Sequence, residues 1–218
     1  MLPPFFLRGN LHLSFIRIIN NNKLIILKEE LCLLNKKRVL GLILTSSCLM
    51  ANVSAEEPKK AGALIYLCGE EGGTPVGTAT LVEQASAEGI KQVDVNLTVT
   101  SGLSTGKHGV HIHEVASCTP CGDAKGHFDP DPESNSNPDG NHPFHAGDLN
   151  NINIKESGIG ILQTTTSRVT LTEGPLSIFD ENGSAFIIHT NEDSYCPEGV
   201  EAGCAGGARD ACGIIYPL

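Results

Sequence analysis

Short runs of alternating hydrophobic and polar residues, separated by turns, fill the chain from about residue 61 onward. The clearest run is VDVNLTV, in which Val93, Val95, Leu97 and Val99 fall on one face of a strand, because strand side chains alternate between two faces. Seven further runs of similar length predict strands at 61–68, 76–83, 108–115, 159–165, 168–172, 184–189 and 212–217. Gly, Pro and Asn lie between the runs, and no stretch has a convincing helical period.

Eight short strands predict an all-β fold, either a sandwich or a barrel. Two long segments, 116–158 and 190–211, have no periodicity. Loops of that length in a compact domain are usually functional or disordered. Both segments are rich in His, Asp, Gly and Cys, which favours function. We therefore predict one domain with two functional loops.

The first 55 residues have the character of a targeting segment. Lys36, Lys37 and Arg38 precede the apolar run VLGLILTSSCLMANVSA, which is too short to span a bilayer and ends in small residues. This order is typical of a signal peptide, so we predict cleavage after Ala55, a mature domain at 56–218 and a periplasmic or secreted location. An alternative is a lipoprotein with a membrane tether at Cys48. Residues 1–33 exceed what a signal peptide needs, and we interpret them as an over-long start, the alternative being a genuine leader.

Charge and cysteine content narrow the functional class. Residues 56–218 hold 8 basic and 23 acidic residues, a formal charge of −15, which argues against nucleic-acid binding. Six cysteines follow the predicted cleavage site. An even number of cysteines in an exported chain predicts disulfides in an oxidising compartment.

Histidines concentrate where the strands give way to the first long loop. In HGVHIHEV, His111 and His113 lie on one face of a strand, about 6.6 Å apart along it. Further on, HPFHAGD places His142, His145 and Asp148 at a spacing that lets one loop wrap around an ion. His127 lies in the same loop and His189 ends a later strand. His108 is predicted to be a hydrogen-bonding surface histidine.

Ligand chemistry divides these residues into two sets. Sites made only of imidazoles suit copper, and three imidazoles with one carboxylate suit zinc. A copper set of His111, His113, His127 and His189 leaves His142, His145 and Asp148 one ligand short of a zinc site. Because an imidazole has two nitrogens, one deprotonated histidine can serve both ions.

Five ordered motifs carry a resemblance to a known family: GVHIHE, GHFDP, HAGDLNN, FIIHTNEDSY and GGARDACGII. Over about residues 61–218 the chain resembles the exported bacterial copper–zinc superoxide dismutases. The resemblance implies an eight-stranded Greek-key β-barrel or flattened sandwich, with copper and zinc held outside it by two long loops. It also implies the conversion of the superoxide anion to O₂ and H₂O₂. A homodimer is one assembly compatible with this family, whose dimer contacts differ between lineages.

The resemblance also implies a role for each motif residue. His127 would bridge the two metals and pick up a proton when its bond to copper breaks. Asp193 would link a copper-ligand histidine to a zinc-ligand histidine, and Arg209 would attract the anion beside copper. Cys118 and Cys212 would form the family disulfide. The implied metal ligands are His111, His113, His127 and His189 for copper, and His127, His145 and Asp148 for zinc.

One departure from the family pattern affects the zinc site. The family usually has a zinc histidine eight or nine residues after the bridging one, but this stretch reads DPDPESNSN here. We predict that His142 takes the role by a different loop path. The alternative is a copper-only dismutase in which His142 is a bystander.

Two further questions concern the cysteines. Cys196 and Cys204 are close enough to close a short loop, which would leave Cys68 and Cys121 as a pair. The alternative is free thiols that bind copper. The spacing in CTPC would also suit a copper-delivery protein on the same scaffold, although Cys118 is better used in the family disulfide.

Overall fold

The computed structural model describes residues 18–20, 23–25, 58–70, 72–130, 137 and 139–218. The chain separates into two compact units, Met1–Val53 and Ser54–Leu218. In the first unit, strands β1 (Ile18–Asn20) and β2 (Lys23–Ile25) pair antiparallel. The predicted signal peptide, its cleavage site and Cys48 lie outside the described residues.

The regular secondary structure described in the second unit is almost entirely antiparallel strand. A 3₁₀ turn, Cys121–Ala124, lies in the first long loop. The strands are β3 (Lys60–Leu67), β4 (Gly77–Ala85), β5 (Lys91–Val99), β6 (Gly106–His108), β7 (Val110–His113), β8 (Ile152–Ile154), β9 (Gly160–Thr166), β10 (Ala185–His189), β11 (Arg209–Ile214) and β12 (Tyr216–Pro217).

The sheet curls until its two edges lie next to each other. Its strand order is β6-β8-β9-β5-β4-β3-β11-β10-β7, with β12 paired to β3. The chain passes from β5 to β6 across β9 and β8, a Greek-key type of connection. Strands β6 and β7 stand at opposite ends of this order, yet only Gly109 separates them in sequence. The sheet is therefore a nearly closed barrel, and the all-β class is confirmed.

Alternation of side chains fills the barrel. Val93, Val95, Leu97 and Val99 on β5 are all buried, as their pattern predicts. Strands β7 and β10 differ, because every one of their residues is buried. On β7, Val110 and Ile112 belong to the main core, so His111 and His113 face the other side, beneath the loops.

The strand assignment differs from the prediction in several places, and the predicted strand at 212–217 is divided between β11 and β12. The histidine run is split at Gly109 into two strands, and β8 lies within a segment predicted to be loop. The predicted strand at 168–172 is a loop, with only an isolated bridge at Thr170. The buried carboxylate of Glu83 accepts the N–H groups of Leu171 (2.5 Å) and Thr172 (2.9 Å), which are donors that a neighbouring strand would otherwise use.

Within the described residues, no helix is long and apolar enough to cross a membrane.

Candidate metal centre

Two neighbouring strands place three histidines on one face. Strands β7 and β10 pair so that His111 lies opposite Ile187 and His113 opposite Ala185. Directly paired residues share a face, so His189, two residues beyond Ile187, joins the histidines of β7. The register of the barrel therefore fixes the positions of His111, His113 and His189.

His127 enters the same face from the first long loop. An isolated bridge pairs it with His113, and the N–H of Phe128 donates to the carbonyl of Ile112 (2.8 Å). Its ring centroid lies 4.0 Å from that of His111. Its Nδ1 lies 2.6 Å from Oδ1 of Asp148, and its Nε2 points the other way.

The four histidines form a group whose ligand atoms lie within 4.8 Å of one another: His111, His113, His127 and His189. In each ring one nitrogen is held by the protein, and the other is buried without a hydrogen-bond partner among the described residues. The held nitrogens are His111 Nε2 on Asp193 (2.9 Å), His113 Nδ1 on the carbonyl of Lys125 (2.9 Å), His127 Nδ1 on Asp148 (2.6 Å) and His189 Nδ1 on the carbonyl of Gly207 (2.9 Å). Buried polar atoms are normally satisfied, so four that converge fit a bound metal ion.

A second group shares residues with the first. It contains His111, His127, His142 and Asp148, again with ligand atoms within 4.8 Å of one another. Nδ1 of His142 lies 3.2 Å from Oδ2 of Asp148 without the alignment of a hydrogen bond. His142 is thus brought to the centre despite its unusual sequence spacing.

His145 lies beside this second group, although the group itself does not include it. Its Nδ1 is 3.2 Å and its backbone nitrogen 2.9 Å from Oδ2 of Asp148. Its ring centroid is 5.2 Å from that of His127. Two imidazoles, the carboxylate and one nitrogen of His127 make a donor set that fits zinc.

Asp193 connects the two groups. Its carboxylate lies 2.9 Å from Nε2 of His111 and 2.8 Å from Nε2 of His142. The amide of Asn151 holds the Asp193 backbone from both sides, accepting its N–H (2.8 Å) and donating to its carbonyl (2.9 Å). The N–H of Tyr195 donates to the carboxylate (2.7 Å). Sequence reasoning found Asp193 but missed Asn151, although HAGDLNN contains it.

Burial and charge divide the histidines. Burial lowers the pKa of His111 to about 3 and that of His189 to about 4, and it also lowers those of His113 and His127. Neutral imidazole is the form that binds metals. For His142, burial is outweighed by the carboxylates of Asp148 and Asp193, which raise its pKa to about 9.

The two carboxylates show the reverse effect. Burial acts to raise their pKa values, but the surrounding histidines outweigh it, and the pKa values of Asp148 and Asp193 lie below the usual range.

Arg209 stands beside His189 because β11 bulges. The pairing of β10 with β11 shifts register between Ile188 and His189, so His189 lies opposite Arg209. The guanidinium donates to the carbonyls of Cys121 (2.6 Å) and Lys125. Burial lowers the pKa of Arg209, yet a guanidinium remains charged at neutral pH. A fixed positive charge therefore lies next to the four-histidine group.

All six cysteines of the second unit form disulfides. Cys118 bonds to Cys212, which ties the first long loop to β11. Cys68 bonds to Cys121, and Cys196 to Cys204. The free-thiol alternative does not hold in this structure.

His108 was predicted to be a surface residue, and this prediction is wrong, because the residue is only 1% exposed. Its Nδ1 lies 2.7 Å from the carbonyl of His189, and its Nε2 lies 2.9 Å from that of Ser104. The prediction failed because β6 ends underneath the site, where the loop after β10 covers it.

Comparisons with known proteins agree with this geometry. The family model described as copper/zinc superoxide dismutase (SODC) matches residues 76–215. Superoxide dismutase (Cu-Zn) 1 of Aquifex aeolicus is 36% identical over 166 residues, covering 74% of this chain and 89% of that protein. Superoxide dismutase (Cu-Zn) of Deinococcus radiodurans is 37% identical over 130 residues, covering 54% of this chain and 68% of that protein.

A solved structure also matches the fold. A SOD-like protein from Bacillus subtilis aligns with a TM-score of 0.54 and 28% identity, covering 70% of this chain and 96% of that one. The family model spans more than half of the chain, and it includes every predicted metal ligand. The chain belongs to the copper/zinc superoxide dismutase family.

Proposed function

We propose that the chain disproportionates superoxide, converting two superoxide anions and two protons into O₂ and H₂O₂ at a copper–zinc centre. The observation that carries this function is the convergence of four buried imidazole nitrogens that have no hydrogen-bond partner among the described residues, one of them on His127, whose other nitrogen faces Asp148. Such a pair of adjoining sites is what a redox metal linked to a structural metal requires.

Each metal has a donor set in this arrangement. Copper would be held by His111, His113, His127 and His189, each of which has one buried ring nitrogen without a hydrogen-bond partner among the described residues. Zinc would be held by His127, together with His142, His145 and Asp148. Proximity to Asp148 supports this set, and the spacing of His142, His145 and Asp148 in HPFHAGD supports it independently.

The metals and the side chains divide the chemistry. When bound, copper supplies a centre that alternates between two oxidation states, and zinc supplies a fixed charge without redox activity. Nε2 of His127 is placed to hold a proton on the copper side, because Nδ1 is already engaged with Asp148. His111, His113 and His189 keep their geometry through the hydrogen bonds of their second nitrogens.

Arg209 supplies a positive charge that attracts an anionic substrate. The mature domain carries a formal charge of −15, so its overall field repels superoxide. A guanidinium beside His189, held on two backbone carbonyls, reverses that field locally. The same charge attracts the anion toward the four-histidine group.

Location and assembly are further parts of the proposal. Three disulfides support an oxidising compartment, in accord with cleavage after Ala55 and a periplasmic or secreted enzyme. A homodimer and a tether through Cys48 are the finer alternatives. Mass spectrometry of the exported chain tests the cleavage site and a lipid on Cys48, and sedimentation tests the dimer.

The test of function is metal content together with superoxide decay. The full chain would be expressed in an exporting bacterial host, purified and reconstituted with copper and zinc. We expect one ion of each per chain and rapid superoxide decay. His113→Ala should lose copper and activity while keeping zinc, whereas His142→Ala should lose zinc while keeping copper.

Other outcomes would overturn parts of the proposal. Activity with copper alone, and no zinc bound by the parent protein, would make the protein a copper-only dismutase in which His142 is a bystander. Tight copper binding without superoxide decay would favour the copper-delivery function.

A further inference from the structure

Asp139 reaches from the first long loop to the second. Its Oδ2 accepts the N–H of Gly203 (3.0 Å) and its Oδ1 accepts the N–H of Ala205 (3.4 Å). Oδ1 also lies 3.8 Å from Sγ of Cys204, which carries no proton because it is in a disulfide. One carboxylate therefore binds the N–H groups of two residues of a turn and contacts the disulfide sulfur of the residue between them.

That turn is fixed from two further directions. The disulfide between Cys196 and Cys204 closes it over a sequence separation of eight residues. A bridge pairs Ala205 with Asp193, and the N–H of Ser194 donates to the carbonyl of Cys204 (2.9 Å). The turn is thus attached to Asp193, the residue whose carboxylate holds His142.

The chain from Asp139 to His142 is short and tightly turned. The N–H of Gly140 donates to the carbonyl of Asn137 (2.9 Å), and the N–H of Phe144 donates to that of Asn141 (2.9 Å). His142 then contacts Asp193 through Nε2 (2.8 Å). Asp139 and His142, three residues apart on the first long loop, are therefore both hydrogen-bonded to one rigid part of the second long loop.

We infer that Asp139 is a positioning residue for His142, and that the disulfide-closed turn at 196–204 is the surface on which it is anchored. This inference rests on the proposed function, in which His142 binds zinc. His142 lies 15 residues after His127, well beyond the usual family spacing. A longer loop loses more conformational entropy when its ends are brought together. If an anchor just before the ligand already holds the loop, less of this entropy has to be lost when the metal binds.

The experiment measures zinc affinity by competition with a chelator, in the full chain already loaded with copper. Asp139→Ala should raise the zinc Kd about tenfold, the lower end of the effect of losing an outer partner of a ligand. Asp139→Asn should act similarly, because its amide NH₂ would face a backbone N–H. The double variant Cys196→Ala/Cys204→Ala should weaken zinc in the same direction.

Two readouts separate positioning from general damage. Cobalt(II) at the zinc site should show an altered visible spectrum in Asp139→Ala, since its bands report ligand geometry. Copper content should stay as in the parent. Glu198→Gln is the matched control, because it removes an exposed acid from the same disulfide-closed turn without touching Asp139.

The outcomes distinguish the inference from the function on which it rests. If His142→Ala weakens zinc but Asp139→Ala and Asp139→Asn do not, the anchoring role is wrong and the zinc site stands. If the parent binds no zinc, or binds it equally well without His142, both are overturned. An equal loss of zinc in Glu198→Gln would assign the effect to surface charge instead.

Discussion

The copper and zinc halves of the centre are held by different kinds of backbone. Three of the four copper-side histidines lie on β7 and β10, where sheet hydrogen bonds set their positions. On the zinc side His142, His145 and Asp148 all belong to one loop. Sheet register fixes the ligand positions on the copper side. On the zinc side, contacts between side chains and backbone must fix them instead.

Two arginines show the same contrast. Arg209 extends from a strand and donates to the carbonyls of Cys121 and Lys125 on the copper side. Arg168 extends from a loop and donates to the carbonyls of Pro143 (3.1 Å) and Asp148 (2.5 Å) on the zinc side. Each fastens a loop of the centre, but of these two arginines only Arg209 lies opposite a copper-side histidine.

Substitution of Asp193, which links the copper and zinc halves, should have the largest effect on metal affinity. In Asp193→Asn the amide NH₂ would oppose one of the two imidazole N–H groups that the carboxylate now accepts. We expect affinity for both metals to fall by about 10–100-fold. Chelator competition for each ion measures this, with Glu192→Gln, an exposed neighbour, as control. Loss of one metal alone would mean that the halves are independent.

A change confined to the copper side should be smaller. Arg209→Gln removes the local positive charge, so superoxide decay should slow about tenfold and depend less steeply on salt. Pulse radiolysis at several ionic strengths measures both quantities. Lys155→Gln, which removes an exposed positive charge elsewhere, should leave the salt dependence unchanged. An unaltered salt dependence in Arg209→Gln would place the steering elsewhere.

The smallest effect on the centre is expected for Glu83→Gln, which should change neither metal. Burial acts to raise the Glu83 pKa, but hydrogen bonds from Thr172 and Leu171, aided by Lys91, leave it below 4.5. Its stabilisation is thus complete above pH 4.5 and is lost as the pH falls through the lowered value. Glu83→Gln should lower the free energy of unfolding by about 1–3 kcal/mol at pH 7.

Denaturant unfolding at a series of pH values checks this prediction. The gap between Glu83→Gln and the parent should narrow as the pH falls below 4.5. A constant gap would assign the loss to hydrogen-bond geometry and not to charge.

Periodicity was enough to predict an all-β fold, and ligand chemistry selected the histidines and Asp148 that the centre brings together. The barrel and the roles of Asp193 and Arg209 were implied by the resemblance to the family. Val93 to Val99 alternate as buried strands do, and His111 and His113 share a face for the same reason. The loop at 168–172 was missed because a distant carboxylate, Glu83, takes its N–H groups. Asn151 and Asp139 were missed because they act through backbone atoms of the second long loop, and a sequence pattern carries no signal for such contacts.

Gly109 joins the two edges of the sheet at the centre itself. Its N–H donates to the carbonyl of Asn191 (2.9 Å), and its carbonyl accepts the N–H of His189 (2.8 Å). A Cβ at this position would lie 3.1 Å from Cβ of Asp193. The hydrogen bonds of this junction residue therefore also seat His189 and Asn191. Because one glycine joins the two edges of the sheet and holds a copper-side histidine, we expect closing of the barrel and assembly of the copper side to be coupled.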